Sequence, residues 1–250
     1  MALKISIITV SCNSASTIRD TLECVAAQNY PFLEHIIIDG GSSDNTLDII
    51  KEFEHVARVV SEKDNGLYDA MNKGLSIASG DIIGILNSDD VYTETSVLSK
   101  VAAMFQSSGA MTVYGDLQYV KQEDPNKVIR YWKSGPYKMS SFYYGWMPPH
   151  PAFFVKKEVY DKVGYFSTGL RSAADYEIML RILVRHKYSA AYLPEVLVKM
   201  RMGGLSNNSL INRIKANIED RKAWKLNEMN PYFFTLYLKP LRKTLQFLKK

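Results

Sequence analysis

Short apolar runs and amphipathic stretches take turns along the first hundred residues. "ISIITV" (5–10), "HIIID" (35–39), "ARVVS" (57–61) and "IIGIL" (82–86) are apolar and rich in β-branched residues, as strands are. Between them the apolar positions fall at helical spacing, as with Ile18, Leu22, Val25 and Ala26 within residues 16–28. "SSDNTLDIIKEF" (42–53) opens on capping residues, "LYDAMNKGLSIA" (67–78) reads as a helix, and a further helix is expected over 94–106. All-apolar strands alternating with helices predict an α/β fold with a mostly parallel central sheet flanked by helices.

Beyond about residue 110 the pattern changes. "MTVYGDLQYV" (111–120) and "KVIRYW" (127–132) predict antiparallel strands, and an aromatic, proline-rich stretch, "SSFYYGWMPPHPAFFV" (140–155), follows. Helices are expected at 156–163 and 174–186, strands near 190–193 and 196–201, and a helix over 209–228. There is no internal repeat and no linker-like composition, so the chain reads as one α/β domain with a helical C-terminal appendage.

The polar residues gather where strands end. Val10 runs into Ser11, Cys12 and Asn13, Ile38 into Asp39, Val60 into Ser61 to Asp64, and Leu86 into Asn87, Ser88, Asp89 and Asp90. Open parallel sheets bind ligands beyond the carboxyl ends of their strands, so these four ends predict one shared rim. Adjacent carboxylates just past a buried run are costly without a positive partner. A magnesium or manganese ion held by one or two carboxylates, with substrate phosphates filling its other positions, meets that need. Capping of a helix beginning near Thr93 is the other reading of "NSDD".

Composition narrows the classes. The content of 46% hydrophobic and 23% charged residues is that of a globular protein. Two cysteines, Cys12 and Cys24, have neither CxxC nor zinc-ligand spacing, which predicts reduced thiols and a cytoplasmic chain. No secretory leader is visible, and no run approaches the ~20 apolar residues of a membrane span. Dinucleotide G-x-G-x-x-G, P-loop, G-x-S-x-G and HExxH signatures are missing, and no basic–aromatic interleaving suggests nucleic acid. The net charge of +5 is uneven: residues 213–250 carry +7, leaving the remainder at −2. A basic segment on a near-neutral body predicts either an anionic surface as partner or a solvated helix face.

Two stretches, "SIITVSCNSASTIRDTLECVAAQNYPFLEHIIIDGGSSDNT" and "SEKDNGLYDAMNKGLSIASGDIIGILNSDD", resemble the bacterial family 2 glycosyltransferases, most of all those building O-antigen and capsular polysaccharide. The resemblance is specific over residues 4–92 and looser to about 205. It implies a GT-A fold over 1–208, with a nucleotide-sugar-binding half (1–110) and an acceptor half (111–208), before a basic amphipathic helical segment, 209–250. It also implies an inverting transfer that depends on Mn²⁺ or Mg²⁺, from a nucleotide-sugar, a UDP-sugar first, to a growing glycan such as one on a polyprenyl diphosphate.

Residue by residue, Asp39 matches the family's base-reading aspartate, and Asp64 the next acidic position near the nucleotide. Helix capping and a "KDNG" turn are the respective structural alternatives. Val10 and Asn13 belong to the nucleotide-sugar loop, where Cys12 stands in place of a common Tyr and reads as a packing residue. Asn87-Ser88-Asp89 occupies the D-x-D position with Asn for the first Asp, making Asp89 the first metal ligand expected and Asp90 the second. Asp175 in "SAADYEIMLRI" (172–182) matches the catalytic base, with Ala174 where the family has Glu; Glu177 is the alternative base and a helix-terminus acid the structural reading. His150, Lys199 and Arg201 are candidates for acceptor or phosphate contact. "MRMGGLSNNS" (200–209) reads either as a loop closing over the donor or as an ordinary turn. The tail, "NPYFFTLYLKPLRKTLQFLKK" (230–250), reads as a membrane-interface segment, peripheral on the inner face of the plasma membrane, or as a packed helix. The competing functions are a nucleotidyltransferase and a non-catalytic nucleotide- or sugar-binding module.

Overall fold

A computed structural model describes residues 2–202 and 210–245, without the side chains of 210–215 and 243–245. Four parallel strands open the sheet: β1 (Ile5–Ser11), β2 (Leu33–Asp39), β3 (Val56–Ser61) and β4 (Ile82–Ile85). They alternate with α1 (Ile18–Ala26), α2 (Thr46–Lys51) and α3 (Leu67–Ile77). A short strand β5 (Asp90–Tyr92) leads to α4 (Val97–Ser108). Next come β6 (Thr112–Val120), β7 (Val128–Trp132), β8 (Phe153–Lys156), α5 (Lys157–Val163), α6 (Ala174–Met179) and β9 (Ala190–Arg201). Two helices, α7 (Leu210–Leu226) and α8 (Thr235–Leu245), close the described chain. The nine strands form one sheet in the order β3-β2-β1-β4-β8-β6-β9-β5, with β7 paired to β6.

β1, β2 and β4 are buried along almost their whole length because both faces of the sheet are covered there, whereas β3, at the edge, is largely exposed. Ile8, Val10, Ile36, Ile38, Ile83 and Ile85 pack on one side with Met71 and Leu75 of α3. Ile5, Ile7 and Ile82 face the other way, against Val97, Val101 and Phe105 of α4. Successive residues of β1 thus enter different cores, as the period of two requires. Gly74 lets α3 lie close to the sheet, since a Cβ there would stand 2.4 Å from Ile8 Cγ2.

The structure revises several expected elements. The helix expected over 42–53 begins only at Thr46, because Ser42, Ser43 and Asp44 bond the neighbouring loop instead. The two strands expected near 190–193 and 196–201 are one, β9, whose parallel register with β6 shifts near Asp116. The helix expected over 174–186 widens into a π-helical turn at Leu180–Arg185. The described C-terminal helices pack on the rest of the fold, α7 against α6 and α8 against the turn at 139–144: Ala223 and Trp224 of α7 are fully buried, and Leu236 of α8 is 2% exposed. No helix among the described residues is long and apolar enough to cross a membrane.

Candidate active site

The carboxyl ends of β1, β2 and β3 meet at Asp39. Its carboxylate accepts hydrogen bonds from the N–H groups of Gly41 (3.1 Å) and Ser42 (2.9 Å) and from the hydroxyls of Ser42, Ser61 (2.7 Å) and Ser11 (3.2 Å). Burial opposes its ionisation, but the Ser42 contacts, then Ser61 and Ser11, hold its pKa below the ordinary aspartate range. Asp39 is therefore an ionised, fixed acceptor. It does not cap α2, whose N-cap position is Asn45.

The β1–α1 and β2–α2 loops are stitched together by small polar groups. Asn13, in the left-handed region at φ 50°, donates its N–H to Ser42 Oγ (2.7 Å) and accepts the Ser43 N–H at Oδ1 (2.9 Å). Ser14 Oγ lies 2.8 Å from Ser88 Oγ, tying this rim to the loop after β4. The Val10 side chain is buried in the core with Ile38, so Val10 reaches the rim only through its backbone. Partial burial, then Asp64, Asp39 and Asp44, push the Cys12 thiol up, so it stays neutral; it is exposed at the rim, not the packing residue expected. Asp64 Oδ1 accepts the Gly66 N–H (2.9 Å) in the expected turn, and its Oδ2 lies where a Gly40 Cβ would stand 2.5 Å away.

Asn87 to Asp90 do not cap a helix. They lead into β5, and α4 starts later, behind Ser96. Asp90 is fully buried; its Oδ2 accepts from Asn87 Nδ2 at 3.0 Å, and its carbonyl accepts from Thr21 Oγ1 at 2.8 Å. Asp90 Oδ1 and Asn87 Oδ1 are buried acceptors without a donor among the described residues. Burial and then the charge of Asp89 push Asp90 well above the carboxylate range, and burial also raises the half-buried Asp89. Nearby Arg201 is committed to the fold. Its guanidinium pairs with Asp20 and donates to the carbonyls of Asp89 (3.1 Å) and Gln122 (3.2 Å). No cluster of three or more His, Cys, Asp or Glu forms among the described residues. With two carboxylates and the unpaired Asp90 Oδ1 and Asn87 Oδ1 on one loop, a hard divalent cation would have to complete its shell with a ligand's oxygens.

Asp175 lies in the first turn of α6. Its Oδ1 accepts from Tyr68 Oη (3.3 Å) and from the Tyr176 N–H (2.8 Å). Tyr68, at the start of α3, stacks on Phe166 with centroids 5.8 Å apart, and Phe166 meets the edge of His150 at 5.6 Å. Burial depresses the His150 imidazole while the charge of Asp175 opposes it, which places the two groups in one neighbourhood. Glu177 is not an alternative base. It is buried, paired with Arg181, and accepts from Asn227 Nδ2 at 2.9 Å.

Three side chains escaped the sequence reading. Tyr68 is one. Tyr119 and Arg130 are the others: they are register partners on β6 and β7, and Arg130 lies 3.7 Å over the Tyr119 ring. Tyr119 in turn registers with Met200, and Met200 with Asp90, so one row crosses four strands. Burial raises the Tyr119 phenol, with Arg130 opposing and both Asp90 and Asp175 reinforcing. Residues 203–209, most of the loop read as closing over the donor, lie outside the described residues.

Residues 6–176 match the model of the glycosyl transferase family 2. The chain belongs to that family. The family 2 transferase is 28% identical over 209 residues to the PGL/p-HBAD biosynthesis glycosyltransferase of Mycobacterium bovis, covering 81% of this chain and 78% of that one. In fold it is similar to S. aureus TarS 1–349 in complex with UDP-GlcNAc (TM-score 0.69, 17% identity, 90% of this chain and 65% of that one). It is also similar to the mannosyltransferase PcManGT of Pyrobaculum calidifontis in complex with GDP-Man and Mn²⁺ (TM-score 0.68, 20% identity, 96% and 69%). The transferase therefore has the GT-A fold, and the nucleotidyltransferase and non-catalytic readings fall with the family match.

Proposed function

We propose that this transferase moves a sugar with inversion from a nucleotide-sugar, a UDP-sugar first, to a glycan acceptor carried on a lipid diphosphate. The setting is biosynthesis of a cell-surface polysaccharide of O-antigen or capsular type. The observation that carries the reading is the approach of two acidic sites to one side chain: Asp90, next to Asp89 after β4, and Asp175 at the head of α6 both act on the Tyr119 phenol. Glycosyl transfer needs one group that takes the acceptor proton and one site that tolerates the departing diphosphate. A relative named for PGL/p-HBAD biosynthesis supports a glycoconjugate product.

In this mechanism Asp39 accepts from the base of the nucleotide, with its serine donors keeping it ionised. Asn13 and Asp64 border the nucleoside, and Asn87 and Ser88 shape the loop beneath the diphosphate. Asp89, being half-buried, would hold a divalent cation at the cleft, with the deeper Asp90 behind it. Mn²⁺ or Mg²⁺ there would neutralise charge on the leaving diphosphate. Asp175 removes the acceptor proton, held by Tyr68 and the Tyr176 N–H, and His150 borders the acceptor. Arg201 keeps the Asp89 loop in place rather than meeting phosphate.

The test is product analysis. A panel of nucleotide-sugars is offered with Mn²⁺, and the anomeric configuration of the product is read by NMR. Inversion in wild type, and loss of both transfer and metal-dependent nucleoside diphosphate binding in Asp89→Ala, are expected. Undiminished transfer in EDTA would remove the metal from the account.

A further inference from the structure

α8 carries an apolar stripe on its outer side. Phe233, just before the helix, and Tyr237 and Leu241 within it follow a spacing of four, and they are 86%, 64% and 56% exposed. The opposite side supplies the packing, with Thr235 and Leu236 buried and Thr235 Oγ1 donating to the Tyr143 carbonyl at 2.6 Å. The stripe continues into a second segment of the chain. Tyr232 and Tyr144, both about half exposed, lie with ring centroids 6.3 Å apart, and Phe234 touches both at 5.3 and 5.8 Å. A contiguous aromatic face of this kind, left to water by a folded chain, marks an interaction surface.

Charge identifies the partner. No acid occurs between Lys127 and Lys157, or anywhere after Glu228, so both segments that build the face are acid-free. Residues 229–250 carry five Lys and Arg: Lys239, Arg242, Lys243, Lys249 and Lys250. Lys239 is held by Asp220 at 2.7 Å and lies over the Tyr176 ring, whereas Arg242 and, beside the 139–144 turn, Lys133 and Lys138 are exposed. A second copy of this chain would bring like charges together. An anionic bilayer surface is complementary in both respects: aromatic rings enter the headgroup region while Lys and Arg meet lipid phosphate.

We propose that Phe233, Tyr237 and Leu241, with Tyr232, Tyr144 and Arg242, form the face by which this transferase docks on an anionic lipid surface. The face is also coupled to the acceptor side of the cleft. Tyr176, next in the chain to Asp175, accepts from Trp224 Nε1 of α7 at 3.0 Å and lies under Lys239 of α8. Docking through α8 would therefore hold the helix bearing Asp175 at a fixed position relative to the membrane, where a lipid-borne acceptor is presented.

The test is sedimentation of the full chain with vesicles of phosphatidylcholine alone or with 30% phosphatidylglycerol. Binding to the anionic vesicles, weakened by raised salt, is expected. A variant with Phe233→Ser, Tyr237→Ser and Leu241→Ser should bind at least tenfold more weakly. Its circular dichroism and its turnover on a water-soluble acceptor should stay as in wild type, because none of the three side chains is buried or near the cleft. Arg242→Glu should weaken binding without the apolar change. Equal vesicle binding by wild type and the triple variant overturns the proposal. So does equal binding to neutral and anionic vesicles, or a concentration-dependent dimer in light scattering that the triple substitution dissolves.

Discussion

The phenol of Tyr68 donates to Oδ1 of Asp175 at 3.3 Å, joining the first turn of α3 to the first turn of α6 across 107 residues of chain. Burial and the charge of Asp175 push the phenol up, so it remains a donor throughout the working range. It makes Tyr68 a positioning residue for the carboxylate assigned as base. Tyr68→Phe keeps the stack on Phe166 and loses only the hydroxyl. A lost hydrogen bond of about 0.5–1.5 kcal/mol corresponds to a kcat lowered by roughly two- to twelvefold. The donor KM should not move. Steady-state kinetics check this, and an unchanged kcat would leave Tyr68 a packing residue.

Gly40 is the second test. A methyl group there would stand 2.5 Å from Asp64 Oδ2, the end of a side chain that can swing away. Gly40→Ala should therefore fold normally while displacing Asp64. Nucleotide-sugar affinity should fall several-fold, about 1 kcal/mol, with little change in melting temperature. Calorimetric titration with the nucleoside diphosphate reads it.

Acid should weaken the fold through His35. This imidazole is fully buried, bonded to Thr9 Oγ1 and His55 Nε2 at 3.0 Å each, and its pKa is pushed down to about 3 by burial and then by His55. The unfolded chain takes up the proton near the ordinary histidine value of about 6.5, so between that pH and about 3 the unfolded state binds more protons. Stability from this group is complete above about 6.5 and falls as pH is lowered, by up to about 1.4 kcal/mol per unit. Glu34 adds to the loss lower down: burial opposes its charge, but Ser6, Ser79 and Lys4 pull it to about 2, so its contribution disappears between about 4.5 and 2. Urea midpoints at pH 7.5, 6.5 and 5.5 read this window, to which the depressed His55 and His150 also contribute, and His35→Gln should reduce the fall.

Arg201 is buried while Asp20 is half exposed, so the pair itself is screened; the larger cost of removing it is two carbonyls, on Asp89 and Gln122, left without a donor. Arg201→Met should lower stability by about 2–3 kcal/mol and loosen the Asp89 loop, raising the metal concentration needed for half-maximal transfer. Thermal unfolding and metal titration together check it.

The parallel half of the fold was legible because its strands enter two cores at once, leaving runs such as "IIGIL" with no polar position. The rim was legible for the converse reason: Asp39, Asp64 and Asp89 stand where apolar runs break off. What the chain hid was three-dimensional. Nothing near Tyr68 in sequence names Asp175 as its partner. Glu177 and Asp175 look alike two residues apart, and only the fold buries one against Arg181 and Asn227 while leaving the other at the cleft. Arg201 reads as a free cation until β9 pairs with β5 and carries it beside Asp20. The helix expected from Ser42 began later because its capping residues bond the β1–α1 loop instead.

The central claim is that Asp175 takes the acceptor proton, and Asp175→Asn tests it most directly. The amide keeps the shape and most of the hydrogen-bonding capacity but removes the basicity. Transfer rate and nucleoside diphosphate binding are measured on the same folded sample. The account predicts a rate lower by roughly 10²–10⁴-fold with donor and metal affinity unchanged, the range expected for loss of a general base. Near-normal turnover, with only a small loss of stability, would contradict it and leave Asp175 as an acid at a helix terminus.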